Sequence, residues 1–153
     1  RMILSWFLSL RASMLAGADR VEEALACIED TLTFVAETGE VLFEAEANRL
    51  KGALLLRRGD AAAAEACLRK ALVLAHGNGA RFWELRAAVT FACLCAAQGR
   101  REDGLAVLTR VYASFTEGFA APDLVDARRL LDWLPLGGPE TFPISEVPGS
   151  ALV

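Results

Sequence analysis

At 153 residues, 54% of them hydrophobic, the chain is long enough for one domain and too apolar to be disordered over most of its length. Acidic and basic residues are interspersed, the net charge is -4 and no basic run occurs, which argues against a nucleic-acid-binding segment. Alanine and leucine supply much of the apolar content while Thr, Ile and Tyr are scarce, so an all-α chain is expected.

The first predicted element is a helix from about Met2 to Ala16. Arg1, the apolar run Met2 to Leu10 and the small residues Ala16-Gly17-Ala18 mimic a secretory signal, but Arg11 interrupts the run and residues 5–18 share the register of the helices that follow. No stretch reaches the ~18 apolar residues of a membrane span, so no membrane association is expected. This helix is apolar almost all round, Trp6 included, and a terminal unit without a polar outer face needs a cover. The chain opens on Arg1 rather than Met, and the reading adopted is a segment of a longer protein whose preceding repeats cover this helix. The alternative is a homodimer through Met2 to Leu10.

A second helix is predicted from Val21 to about Glu37, capped by Asp19, with Glu22 and Glu23 in its first turn and Ala24, Ile28, Leu32 and Val35 facing inward. After Thr38-Gly39 comes the most legible unit, Ala45 to Ala75, two antiparallel helices about a Gly59-Asp60 turn. Before the turn Ala47, Asn48, Leu50, Gly52, Leu54 and Leu55 make a broad inner face, and Arg57 and Arg58 complement the helix dipole. Gly59 suits the left-handed position after a helix and Asp60 the cap of the next. The facing stripe is Ala64, Cys67, Leu68, Ala71, Leu72 and Ala75. A Gly77-Asn78-Gly79 turn precedes a fifth helix, Arg81 to Gln98, and a sixth runs from Arg101 to Phe115. Gly118 stops it. Pro122 opens a seventh, to Trp133, with Leu124, Ala127, Leu130 and Leu131 inward and Asp123, Asp126, Arg128, Arg129 and Asp132 on a wettable outer face. The prolines and glycines beyond predict a flexible tail, 135–153, after a helical repeat domain, 1–134.

Sliding the chain by 40 residues superimposes small residues on small ones: Ala12, Gly52 and Ala92 in the first helix of each pair, Ala24, Ala64 and Gly104 in the second. Ile28, Leu68 and Leu108 follow suit, with turns at Asp19, Gly59 and Gly99. Three copies at one period predict a repeat array of three helix pairs plus a capping helix.

Gly52, Gly59, Asp60, Ala64, Leu68, Ala71 and Leu72 resemble the tetratricopeptide repeat, with a period of 40 in place of that family's 34. A narrower resemblance covers Ala45 to Leu131. Phe82-Trp83-Glu84-Leu85-Arg86-Ala87-Ala88, Gln98-Gly99-Arg100-Arg101, Val111-Tyr112, Phe115-Thr116-Glu117-Gly118-Phe119 and Pro122-Asp123-Leu124 look like the C-terminal helical repeats of large bacterial predicted ATPases. Those proteins join nucleotide cyclase or DNA-binding modules to a signalling ATPase module. Where that family usually has a capping Thr before the proline, this chain has Ala121, a loss of about 1 kcal/mol. The resemblance implies a tetratricopeptide-like α-solenoid that regulates or binds a partner, with catalytic modules upstream.

A search for chemistry leaves little. The single histidine, His76, sits at a helix end, and no nucleophile and base stand in an interpretable pattern. No Gly-rich phosphate loop precedes Lys51 or Lys70, and no cofactor or metal is expected. Cys27 and Cys67 occupy equivalent repeat positions, about 8–10 Å apart and beyond disulfide reach, while Cys93 and Cys95 point to different faces of one helix. Structural thiols in a reducing cytoplasm are expected. By tetratricopeptide analogy a concave groove would be lined by Trp6, Ser9 and Ser13, then Glu46, Arg49, Ala53 and Arg57, then Arg86, Val89 and Cys93. Glu46, Arg49, Arg57 and Arg86 would clamp a carboxylate or an acidic peptide. The expectation is a non-catalytic segment of a cytoplasmic signalling protein that binds a peptide, a protein partner or a neighbouring module. A small-molecule sensor is the alternative.

Overall fold

The computed structural model describes residues 20–136, which form six α-helices and a closing 3-10 turn. They are α1 (Val21–Thr38), α2 (Val41–Arg58), α3 (Ala61–Gly77), α4 (Arg81–Ala97), α5 (Arg101–Tyr112) and α6 (Pro122–Trp133), then Leu134–Leu136. There is no strand among the described residues, and none of these helices is long and apolar enough to cross a membrane. The predicted helix Met2 to Ala16, with groove residues Trp6, Ser9 and Ser13, and the tail from residue 137 onward lie outside the described residues. Leu134 is buried at the start of the 3-10 turn.

The first five helices start at 21, 41, 61, 81 and 101, an even step of 20 residues. Between α2 and α3, between α3 and α4 (Ala80 N–H to Ala75 O at 2.9 Å, Gly79 N–H to His76 O at 3.1 Å) and again between α4 and α5, the chain closes in the same way. Asp60 N–H donates to Leu55 O at 2.9 Å and Gly59 N–H to Leu56 O at 3.0 Å; Arg100 N–H donates to Cys95 O at 2.8 Å and Gly99 N–H to Ala96 O at 3.1 Å. Each donor and acceptor in the last set lies 40 positions after its counterpart in the first, and Gly59 (φ 91°) and Gly99 (φ 73°) supply the left-handed backbone that this closure needs. Asp60 then caps α3 through Ala63 N–H at 3.2 Å. Asp19, the expected cap of α1, lies outside the described residues. The N-cap position of that helix is Arg20, which makes no side-chain cap bond and reaches instead to Glu23 in the first turn, Nε to Oε1 at 2.6 Å.

Consecutive helices pack on each other, and α2 also touches α4, which in turn touches α6. Helix α4 therefore lies at the centre, against α2, α3, α5 and α6. Its sequence suits that place: Leu85, Ala88, Val89, Phe91, Ala92, Cys93, Leu94 and Cys95 are buried on every side, as expected of a helix apolar all round. One core gathers around α4 and a second between α1, α2 and α3, with Leu56 packed against both.

Small residues set how closely the paired helices approach. A Cβ placed on Gly52 in α2 would meet Leu68 Cγ at 2.7 Å and Ala64 O at 3.2 Å in α3. On Gly104 in α5 it would meet the α4 backbone itself, Ala92 Cα at 2.9 Å and Ala92 O at 3.1 Å. Ala92 and Gly104 follow Gly52 and Ala64 by 40 residues, so the crossing recurs with the glycine moved from one helix of the pair to the other.

Two elements differ from expectation. Helix α5 ends at Tyr112 rather than Phe115: the Ser114 hydroxyl donates to Val111 O at 2.7 Å, and the Phe115 ring stands edge-on to Phe82 with centroids 5.2 Å apart. On α6, Leu124, Ala127 and Leu130 are buried as expected, but Asp123 and Asp126 are not on the wettable face. Arg86 of α4 draws Asp123 inward, Nε to Oδ2 at 2.9 Å, and Asp126 follows on the same face at 8% exposure. Asp126 Oδ2 has no hydrogen-bond partner among the described residues, and burial pushes this carboxyl above its ordinary range, Arg129 at 3.8 Å only partly opposing that.

Two stability measurements check these contacts. Gly104→Ala is expected to destabilise by about 1–3 kcal/mol and by more than Gly52→Ala, since Leu68 can shift and the α4 backbone cannot; equal denaturation midpoints for both variants and the parent would refute the close crossing. The folded-state value of Asp126 is raised, so its contribution favours folding below the unfolded value of 3.8 and becomes a penalty as pH rises through the raised value. Asp126→Asn should accordingly be more stable than the parent at pH 7, with the gain shrinking as pH falls toward 3.8. A variant no more stable than the parent at pH 7 contradicts this.

Candidate functional site

The expected groove residues divide into an ionic network, a buried wall and an outlier. In α2, Arg49 donates to Glu46 from both Nε (2.9 Å) and a terminal nitrogen (2.8 Å) and is 0% exposed. Arg86 of α4 reaches the same Glu46 at 3.7 Å and Asp123 of α6 at 2.9 Å. Glu46, Arg49, Arg86 and Asp123 thus link α2, α4 and α6 in one chain of charge. Ala53, Val89 and Cys93 are all buried, and Arg57 is exposed near the end of α2, outside this network. Alternation of two acids and two arginines satisfies the charges inside the fold, and a fully buried guanidinium held by a two-pronged carboxylate bond serves the packing of α2 on α4.

A second constellation was not read from the sequence. Helix α5 has 12 residues and its antiparallel neighbour α4 has 17. A shortfall of five residues is about 7–8 Å of helix, so the end of α5 leaves the first turn of α4 uncovered. The connection 113–121 folds back into that space. The result is a cavity of about 390 Å³ lined by His76, Gly79, Arg81, Glu84, Arg110, Val111 and Ser114. An adjoining cleft shares Gly79 and Arg81 and is walled by Phe82, Phe115 and Glu117. Next in the chain, Trp83 packs against Phe43 of α2, centroids 5.5 Å apart.

Within the cavity His76 is 77% exposed and its Nδ1 lies 3.1 Å from Glu84 Oε1, which accounts for the carboxylate that α4 buries at this end. Arg81 donates to the Ser114 carbonyl at a long 3.4 Å, and neither Arg81 nor Arg110 has a carboxylate partner among the described residues. The sequence carried one usable signal. Arg110 has Ala106, Val107, Ala113 and Ser114 at three and four residues on either side, so no acid on its own helix can pair with it. Arg81 has Glu84 at that spacing, and only the fold shows that His76 takes it.

Ser114 shares the cavity with His76, and its hydroxyl donates to Val111 O at 2.7 Å; no group of three or more His, Cys, Asp or Glu converges among the described residues. None of the four cysteines forms a disulfide. Burial pushes the Cys93 thiol up to about 12 and raises Cys67 and Cys95 as well, which removes their thiolate reactivity at neutral pH.

A structural role for the Glu46 pair has a measurable consequence. Glu46→Gln should destabilise the fold by about 3 kcal/mol, because a buried Arg49 loses its charged acceptor, while Glu46→Gln with Arg49→Met should recover part of that loss. Urea midpoints for Glu46→Gln that match the parent would mean that Glu46 is held for something other than stability. Compared with family models, with curated proteins and with solved structures, the chain gives no match, so its function has to be argued from its own residues.

Proposed function

We propose that the chain is a non-catalytic binding scaffold: a tetratricopeptide-like α-solenoid, part of a larger cytoplasmic bacterial signalling protein, that holds a peptide or a neighbouring module. The observation that carries this reading is the even step of the helix starts together with the identical closures at Gly59 and Gly99. Stacked helical hairpins of this kind bury one face against their neighbours and leave long side surfaces whose shape is held by the stack, which is how such arrays present a binding surface. The resemblance to the repeat tails of signalling ATPases supports the regulatory context. A ligand that favours one packing of the hairpins over another would shift the array between states and so transmit its presence.

The cleft at the end of α5 is the surface best suited to recognition, because it combines concavity, an exposed aromatic and unpaired positive charge. A small-molecule sensor is the second reading, favoured by the volume of the same cavity, about 390 Å³.

The two readings separate in one pair of experiments. A peptide array probed with the purified chain should retain a set of peptides with shared composition, and the retained peptides should raise the unfolding midpoint as linkage requires. Stabilisation by members of a metabolite panel, with no peptide retained, would overturn the scaffold reading in favour of the sensor.

A further inference from the structure

Fourteen lysines and arginines fall among the described residues, and they are not alike. Arg57 and Arg101 have contacts of their own, the latter over the Trp133 ring at 4.7 Å, and ten others have a carboxylate within 4.0 Å. Arg81 and Arg110 alone are left over, and both line the same cavity. In a chain with more acids than bases, two guanidiniums without an acid facing one concavity are positioned for an anion from outside.

We propose that this cavity is the subsite for a carboxylate side chain of a bound acidic peptide, held between Arg81 and Arg110, with the next apolar side chain of the peptide on the ledge of Phe82 and Phe115. The proposal rests on the scaffold reading above and names the ligand class for it. Three features select this ligand. A planar carboxylate matches the guanidinium fork, and Arg81 is anchored only by the long bond to the Ser114 carbonyl, so it can turn toward an incoming acid. Glu84 lines the same cavity, which leaves Arg81 and Arg110 one net positive charge there, a better match for a single negative charge than for a phosphate dianion. Phe82 is 46% exposed directly beside Arg81, and its ring with that of Phe115 at 5.2 Å forms a rigid apolar wall at the mouth. Glu46, Arg49 and Arg86 have no such vacancy, since each is already engaged inside the fold.

The test uses the full chain and a fluorescein-labelled decapeptide alternating Glu with Phe and Leu, followed by anisotropy at fixed ionic strength. The Glu peptide should bind, its Gln counterpart should bind at least about tenfold more weakly, and Arg81→Gln with Arg110→Gln should weaken the Glu peptide by a similar factor. Arg128→Gln with Arg129→Gln, on the outer face of α6, should leave binding unchanged, and circular dichroism should match the parent for both pairs because all four residues are exposed. If the Glu peptide binds the parent and the Arg81/Arg110 variant equally, this cavity is not the subsite, while the scaffold reading stands. If neither peptide binds, both readings fall. Equal binding of the Gln peptide removes the carboxylate from the proposal, and a phosphoserine peptide preferred over the Glu peptide replaces it by a phosphate site. Saturable binding of 3-phenylpropanoate with no peptide binding assigns the cavity to a small acid.

Discussion

Everything in this fold depends on how closely two helices approach at one point in each hairpin. Gly52 lets α2 come within contact of Leu68 and Ala64, and Gly104 lets α5 settle on the backbone of α4 at Ala92. At that separation the flanking leucines are covered, and Leu68, Leu85, Leu94 and Leu108 are fully buried. A wider crossing would expose the same leucines, since alanine-rich helices have few large side chains to fill the gap. The glycine appears on the first helix of one hairpin and on the second helix of the next. The constraint is therefore on the sum of the two facing side chains, and either helix can satisfy it.

The second constraint is polar. Close packing of α2 on α4 and of α4 on α6 places Glu46, Arg49, Arg86 and Asp123 where water is largely excluded, and each charge has an opposite neighbour. Such a chain stabilises only as a complete set, because removing one member leaves another charge buried with less to hold it. It works as a register device: helices of this layer cannot slide without separating acids from arginines. Asp126, one turn beyond Asp123, shows the cost of that arrangement, since its carboxyl is carried into the fold with an oxygen left unsatisfied. Asp126 is the weak point of α6.

Most of the architecture was legible because it is written in local chemistry. Gly59 with Asp60, the Gly77-Asn78-Gly79 turn and Pro122 punctuate the helices to within a few residues of their observed ends, and the 40-residue offset anticipated the matching closures at Gly59 and Gly99. The errors were of another kind. Asp123 and Asp126 read as solvated because charge on a helix usually is, and only the position of Arg86 on another helix, 37 residues away, reverses that for Asp123. The end of α5 was misplaced for a similar reason: Phe115 continues an apolar pattern, but its partner is Phe82, not the next turn of its own helix. Arg49 and Arg86 were legible as a charged group on neighbouring helices and not as one already neutralised by Glu46 and Asp123. Sequence periodicity reports which face a residue is on and is silent on what stands opposite.

The cleft beside Arg81 follows from the same limitation, since it exists only because one helix in the row is short. Where helix starts keep an even step and helices keep equal length, each turn is covered by its neighbour and the ends leave little room. At α5 the step is kept and the length is not. Its missing turn uncovers the head of α4 just where that helix carries Arg81 and Phe82, and the returning connection supplies Phe115 and Glu117 as walls instead of filling the space. The short helix α5 thus concentrates concavity, aromatic surface and unpaired charge at one place, whereas α2, α4 and α6 have used Glu46, Arg49, Arg86 and Asp123 on one another. In a chain of stacked helices, recognition chemistry is best sought at such departures from regularity, because the packing that makes the rest stable also satisfies the groups that would otherwise bind.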